Sequence, residues 1–306
     1  MDATPSVALP ADATSGIPSR PPAPMRIGRR TFVWGQRTYV MGIINVTPDS
    51  FSGDGLLADG RESAVELAVA LAVQMVAEGA DFIDVGGQST RPGHYEISIE
   101  HEKARAIPVV REIRAALPAV PISIDTTRPE VAAAAVDAGA DFVNDVWGVA
   151  ADDAQLRLAA ERRLPIVLMH NREEPRYANV VAEVIADLSR ALDRALAAGV
   201  AWDLTIIDPG IGFGKTAEQN LAVLHDLHLI TALGRPVLLG TSRKSTIGKV
   251  LDLPAEERVE GTVATTALAV AAGVDIVRVH DVLPNVRAAR MADAIVRGGW
   301  RETATR

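Results

Sequence analysis

The sequence predicts one parallel α/β barrel, with strands forming an inner ring and helices packed outside. Three observations carry this. From Tyr39 onward, short apolar β-branched runs alternate with Ala-rich amphipathic stretches, and alternating β and α units build a parallel sheet. Several of the amphipathic stretches end in glycine just before the next apolar run, at Gly79, Gly139, Gly199 and Gly273; this is the residue that ends a helix in left-handed dihedrals at least cost. Polar residues gather where the apolar runs stop, and in a closed barrel all those points fall on one face. An open, doubly wound sheet uses the same units and remains the alternative on pattern alone.

Taken in chain order, residues 1–29 are rich in Pro, Ala, Ser and Thr and read as a disordered tail, and residues 30–300 as the barrel domain. Residues 30–38 have the pattern of a hairpin turning at Gly35-Gln36. The strand runs are Val40–Asn45, Phe82–Val85, Ile122–Asp125, Phe142–Asp145, Ile166–His170, Thr205–Asp208, Val237–Gly240 and Ile276–His280. Helical periodicity covers Glu62–Glu78, Glu130–Ala138, Val180–Ala198 and Arg258–Ala272. The phrase Gly-Ala-Asp-Phe at Gly79 and Gly139, echoed as Gly-Val-Asp-Ile at Gly273, marks one recurring helix-to-strand junction.

Composition narrows the function classes. The 306 residues carry a net charge of −8, which disfavours a general nucleic-acid surface, so an anionic ligand must be held by local cations. Cysteine is absent, which removes disulfides, thiolate metal sites and Cys nucleophiles and fits a reducing, cytoplasmic setting. No apolar run approaches the roughly 18 residues of a membrane span, and the start lacks the basic and apolar segments of a secretory signal.

Two segments concentrate the chemistry. Asp208-Pro-Gly-Ile-Gly-Phe-Gly-Lys215 sets a carboxylate at a strand end and follows it with a backbone-exposing turn. Gly240-Thr-Ser-Arg-Lys-Ser245 sets hydroxyls and two cations at the next strand end. Other strand ends carry Asn45, Asp84, Asp125, Asn144 with Asp145, His170 with Asn171, and Arg278 with His280. Any one of these can be a helix cap, and for Asp84, Asp145 and Asn171 that alternative stays open. Capping at every strand end in turn does not explain the set. Arg278 and His280, two apart on a strand, point to one side. Long Pro- and Gly-bearing loops follow the first two strands, Val46 to Gly60 and Gly86 to Glu100, and suit mobile lids.

At this point the residues match a family. Met41-Gly-Ile-Ile-Asn-Val-Thr-Pro-Asp-Ser-Phe-Ser52, Asp84-Val-Gly-Gly-Gln-Ser-Thr-Arg-Pro-Gly93, Ser123-Ile-Asp-Thr126, Phe142-Val-Asn-Asp145, Leu168-Met-His170, the two segments above and Ile276-Val-Arg-Val-His-Asp281 together resemble dihydropteroate synthase, of the pterin-binding enzymes, over about residues 30 to 297. The resemblance implies a TIM barrel that joins 6-hydroxymethyl-7,8-dihydropterin diphosphate to p-aminobenzoate, giving dihydropteroate and pyrophosphate, and that sulfonamides inhibit. It implies Asp125, Asn144 and Asp208 on the pterin edge, with Lys244 at its carbonyl and ring nitrogen. Arg278, His280 and Asn45 take the diphosphate, with Mg²⁺ bridging phosphate oxygens and Asn45 its protein ligand. Thr90, Arg91 and Pro92 come over p-aminobenzoate and the diphosphate, Asp49 and Phe51 enter from the first loop, and Phe213 and Ser245 line the p-aminobenzoate side. Asp125, Asp208, Lys244, Arg278 and His280 are the expected catalytic set, and a homodimer the expected assembly.

Departures from the family pattern are few: Gln88 stands where Glu is common, and Thr246 where a larger apolar residue is frequent. The other histidines, His94, His101, His225 and His228, read as solvated. A methyltetrahydrofolate-dependent methyltransferase on the same barrel would share the pterin carboxylates but would have no use for Ser-Thr-Arg-Pro or for Arg278 with His280. A non-catalytic pterin-binding paralogue would be expected to lose a loop or a cation, and none is missing.

Overall fold

The computed structural model describes residues 21–46, 61–88, 97–148 and 153–298. A short antiparallel pair, β1 (Met25–Ile27) and β2 (Arg30–Phe32), precedes the barrel. The ring strands are β3 (Tyr39–Asn45), β4 (Phe82–Gly86), β5 (Ile122–Asp125), β6 (Phe142–Asp145), β7 (Ile166–Met169), β8 (Thr205–Asp208), β9 (Leu238–Leu239) and β10 (Ile276–Val279). The helices are α1 (Arg61–Glu78), α2 (Ile99–Ala116), α3 (Pro129–Ala138), α4 (Ala154–Arg162), α5 (Val180–Ala197), α6 (Ala217–His225), α7 (Leu227–Thr231), α8 (Ser245–Leu251), α9 (Val259–Ala271) and α10 (Val282–Val296).

The ring is parallel throughout, in the order β8-β7-β6-β5-β4-β3-β10-β9. It closes where Ile207 of β8 bridges Val237, just ahead of β9, with the Ile207 N–H donating to the Pro236 carbonyl at 3.0 Å. Closure removes the open-sheet alternative. The expected helix-ending glycines behave as such: Gly139 ends α3 at φ +121°, and its N–H returns to the α3 carbonyls.

Period-two alternation sorts each strand's side chains onto two cores. Ile83, Val85, Ile122 and Ile124 face outward against helix residues such as Val109, Ile113, Leu188 and Val286. Met41, Phe82, Phe142, Val167, Ile206, Leu238 and Ile276 fill the barrel interior together with Met25, Ile27, Phe32 and Trp34 from the hairpin region. Each such side chain contributes roughly 1.5–3 kcal/mol on burial. Phe32 stacks on Phe82 at 4.3 Å between ring centroids, and Trp34 meets Tyr39 edge-on at 5.6 Å, so the hairpin stoppers the N-terminal end of the barrel.

The hairpin differs from the expectation. It turns at Gly28-Arg29, with Gly28 at φ +57°, not at Gly35-Gln36, and Met25–Ile27 is strand within the stretch read as tail. Met25, Ile27 and Phe32 are the buried positions that fix this register. Residues 1–20 lie outside the described residues.

Candidate active site

Moving up the barrel, the interior changes from apolar to ionisable within one residue pair per strand. Phe82 is followed on the same face by Asp84, Phe142 by Asn144, Ile206 by Asp208, and Ile276 by Arg278. Register then aligns the strand ends: Asn45 pairs with Gly86, Gly86 with Asp125, and Asp125 with Asn144, while Asp208 pairs with Met169. Four strands thus deliver Asn45, Asp125 and Asn144 to one level, with a side-chain-free gap at Gly86.

Arg278 is the hub. Its Nε donates to Asp84 Oδ2 and its Nη2 to Asp125 Oδ2, both at 2.6 Å, and Nη1 has no partner among the described residues. Burial works against the Arg278 charge, but Asp84 and Asp125 outweigh burial and raise its pKa. Asp84 is fully buried; it accepts from Ser123 Oγ, and the Asn144 amide lies 3.4 Å from both of its oxygens. The capping alternative therefore fails for Asp84, which braces Arg278 and Asn144. It fails for Asp125 too, since the N-cap position of α3 is Arg128 and no side chain caps that helix. It fails for Asp145 as well, since α4 has its N-cap at Asp153; Asp145 instead accepts the Trp147 N–H at 3.0 Å in a local turn, and Asn171 braces the Val146 carbonyl at 3.2 Å.

Asp125 is held neutral over much of the acid range: burial raises its pKa to about 7, with Arg278 opposing and Asp84 adding. Its Oδ1 is buried without a hydrogen-bond partner among the described residues. A buried carboxylate oxygen left unpaired costs free energy unless a ligand N–H meets it, so this atom marks a place prepared for a donor. Asp208 is also raised by burial, with Lys244 and the Gly210 N–H opposing; that N–H donates to Oδ1 at 2.7 Å.

The Gly-rich segment curls back over β7. Gly210 has φ +66°, and a Cβ there would sit 1.8 Å from the His170 carbonyl oxygen, so only glycine allows the approach. The second loop meets it from the other side. Lys244 Nζ donates to the Ile211 carbonyl and stands 4.5 Å from the Phe213 ring centroid. Burial lowers its pKa to about 8, with Asp208 opposing. Lys244 is aimed inward by the residue before it: Arg243 adopts φ +56° and is fixed by two bonds to Asp281, at 3.0 and 2.5 Å. His280 receives support from Ser242, whose Oγ accepts the His280 N–H at 3.1 Å and lies 3.0 Å from ring Nδ1.

Of the expected residues, Asn45, Asp125, Asn144, Asp208, Phe213, Lys244, Arg278 and His280 all sit at this C-terminal face, and Ser245 opens α8 beside them, exposed. Asp49, Phe51, Thr90, Arg91, Pro92 and His94 lie outside the described residues. His101, His225 and His228 are exposed, as expected. Gln88 accepts the Ile97 N–H at 3.4 Å, bracing the base of the second loop. Thr246 lines an apolar cavity of about 190 Å³ together with Leu224, Ile247, Gly261 and Lys244. Asp84 and Ser242 went unassigned in the sequence; the signal for Asp84 was its position two residues before Gly86, on the inward face of β4.

No group of three or more His, Asp or Glu side chains able to hold a metal ion occurs among the described residues. What the site offers a cation is Asn45, and what it offers an organic ligand is a ring of buried acceptors with two cations behind them.

The sequence profile of the family described as "Pterin binding enzyme" matches residues 41–280. The dihydropteroate synthase of Clostridium beijerinckii is 48% identical over 274 residues, 89% of this chain and 100% of that one. A crystal structure of Xanthomonas albilineans dihydropteroate synthase with 4-aminobenzoic acid superposes with a TM-score of 0.83 at 42% identity, covering 89% of this chain and 98% of that one. The Clostridium difficile dihydropteroate synthase, solved in the presence of pteroic acid, gives 0.81 at 45% identity, covering 87% and 99%.

Proposed function

The chain belongs to the pterin-binding enzyme family and has dihydropteroate synthase activity, and from that premise we propose how its residues divide the work. The observation that carries the assignment is the unpaired, buried Asp125 Oδ1 beside Asn144 and across from Asp208. A pterin presents a guanidine-like edge of N–H donors and a ring carbonyl. Asp125, Asn144 and Asp208 face the donors, and Lys244 faces the carbonyl and ring nitrogen.

The diphosphate occupies the side of Arg278, His280 and Asn45. Two arms of the Arg278 guanidinium are committed to Asp84 and Asp125, which leaves Nη1 for a phosphate oxygen. As the bond from the pterin methylene carbon to the diphosphate oxygen breaks, positive charge spreads into the pterin ring. Preorganised Asp125 and Asp208 stabilise that charge as it forms. The p-aminobenzoate nitrogen attacks the methylene carbon and sheds a proton, and pyrophosphate leaves. Because the aryl amine is neutral and the electrophile activated, no strong base is required. Phe213 bounds the p-aminobenzoate side, with Ser245 toward its carboxylate, the place where sulfonamides compete. Asp49, Phe51, Thr90, Arg91 and Pro92 are proposed to cover both substrates from the two long loops.

A site with one amide oxygen and no carboxylate cage fits Mg²⁺, which keeps several waters and is held mainly by substrate phosphates. Asn45 would hold it, and the ion would neutralise charge on the departing diphosphate. Exposed Val250, Leu268, Met291 and Ile295 on α8, α9 and α10 support a homodimer. We further propose a cytoplasmic setting; among the described residues no helix is long and apolar enough to cross a membrane. We assign the barrel domain to residues 25–300, with its start moved from residue 30 because Met25 and Ile27 pack in its core.

The methyltransferase alternative loses its support at Arg278, which has no diphosphate to hold in that chemistry. The test is a coupled assay with pterin diphosphate, p-aminobenzoate and Mg²⁺. Pyrophosphate release that depends on both substrates is expected; release no faster than background would sink the assignment.

A further inference from the structure

The Gly-rich segment ends in a lysine, a placement that in other loops serves phosphate. Here the side chain turns back into its own loop. An ammonium has three donors, and Lys215 Nζ directs them at the Gly210 carbonyl at 2.9 Å, the Phe213 carbonyl at 3.0 Å and His170 Nδ1 at 2.9 Å. None is left for a ligand. The two carbonyls lie at either end of the turn between Asp208 and Phe213.

His170 is fully buried at the end of β7, and it is keyed in turn. Its Nε2 lies 3.1 Å from Asp187 Oδ2 on α5, and that carboxylate accepts from Arg172 Nη2 at 2.8 Å and Nε at 3.0 Å. Burial, the Lys215 charge and Arg172 lower the His170 pKa to about 4 against the pull of Asp187, so the ring is neutral. With Asp187 accepting at Nε2, we assign the proton there, which leaves Nδ1 as the acceptor Lys215 needs. Tyr177 adds a bond from its hydroxyl to the Gly214 carbonyl at 2.8 Å.

Resting on the reading that Phe213 bounds the p-aminobenzoate space, we propose that Lys215 is a positioning residue. Docked on His170, it holds the Gly-rich loop in the shape that seats Asp208 and Phe213, and so sets affinity for p-aminobenzoate. The latch is made of backbone and of groups remote from the reacting atoms.

Its charge is open to pH. Burial lowers the Lys215 pKa to about 7; Asp208 and Asp187 oppose this, and Lys244 and Arg172 add to it. A neutral amine has two donors for three acceptors and turns a lone pair on one of them. The KM for p-aminobenzoate, at saturating pterin diphosphate, therefore rises as pH rises through about 7 in the natural enzyme.

The test compares Lys215→Met with the natural enzyme across that window. We expect a KM for p-aminobenzoate raised about ten-fold at the acid end, by loss of a charge-assisted anchor, with KM for pterin diphosphate moved by less. We also expect the variant to lose the rise in KM with pH, which a merely structural role would leave in place. An unmoved KM, or the same rise surviving in the variant, overturns the proposal. Should the Met variant fail to fold by circular dichroism, His170→Asn and His170→Leu replace it. Asn offers an acceptor near the Nδ1 position and should keep KM within about three-fold, and Leu should not; equal values overturn the proposal. Absence of turnover in the natural enzyme would instead strike at the activity, a separate result.

Discussion

Replacing Arg278 by alanine separates the two tasks assigned to it. In the resting enzyme the guanidinium is a buried bridge, 2.6 Å from Asp84 and 2.6 Å from Asp125. Truncating one partner of a buried ion pair leaves uncompensated charge and costs about 3–5 kcal/mol. For a chain of this size each kcal/mol moves Tm by roughly 2 °C, so a fall of about 6–10 °C is expected. The loss depends on pH. Asp125 has a folded pKa raised to about 7 from 3.8, so it favours the fold below its unfolded pKa and loses that contribution as pH rises through the folded value. Without Arg278 the folded value climbs further, and the penalty is smaller on the acid side, where one carboxyl takes a proton. The catalytic loss is distinct: removing a donor aimed at developing charge costs about 10²–10³ in rate. Pyrophosphate release with both substrates, at a temperature below the lowered Tm, reads the second effect. Calorimetry as a function of pH reads the first. If kcat/KM stays within a few-fold while Tm falls, Arg278 is only a brace for Asp84 and Asp125 and the diphosphate site lies elsewhere.

Two further outcomes follow from the same geometry. The kcat/KM profile for pterin diphosphate, at saturating p-aminobenzoate, should climb as Asp125 ionises through about 7 and decline as Lys244 loses its proton through about 8, giving a narrow bell; a flat profile across that range would contradict the roles of both. Gly210→Ala places a Cβ 1.8 Å from the His170 carbonyl at φ +66° and should lower stability by at least about 2 kcal/mol while abolishing turnover, and a normal Tm in a thermal melt would show that the loop is not held as described.

Most of the barrel could be read from the chain because each strand's apolar run stops where its polar residue begins. The run at Ile122–Asp125 became a strand with the same bounds, while Val237–Gly240 shrank to Leu238–Leu239. The hairpin was misplaced because the aromatic run through Trp34 and the glycine after it imitate a strand and turn. The true turn at Gly28 follows a Pro-rich stretch that hides Met25 and Ile27. Side-chain roles that depend on distant partners were the least visible. Asp84 and Arg278 are 194 positions apart, and only barrel closure joins them. Lys215 is anchored to a histidine 45 residues earlier, a contact with no local signature.

The most direct test of the central claim is a crystal structure of this chain with 7,8-dihydropteroate. The account predicts the pterin edge against Asp125, Asn144 and Asp208, with a ring or amino N–H donating to Asp125 Oδ1, Lys244 at the carbonyl, and the benzoate leaving past Phe213. A pterin bound elsewhere, or in place with Asp125 Oδ1 still unpaired, would contradict it.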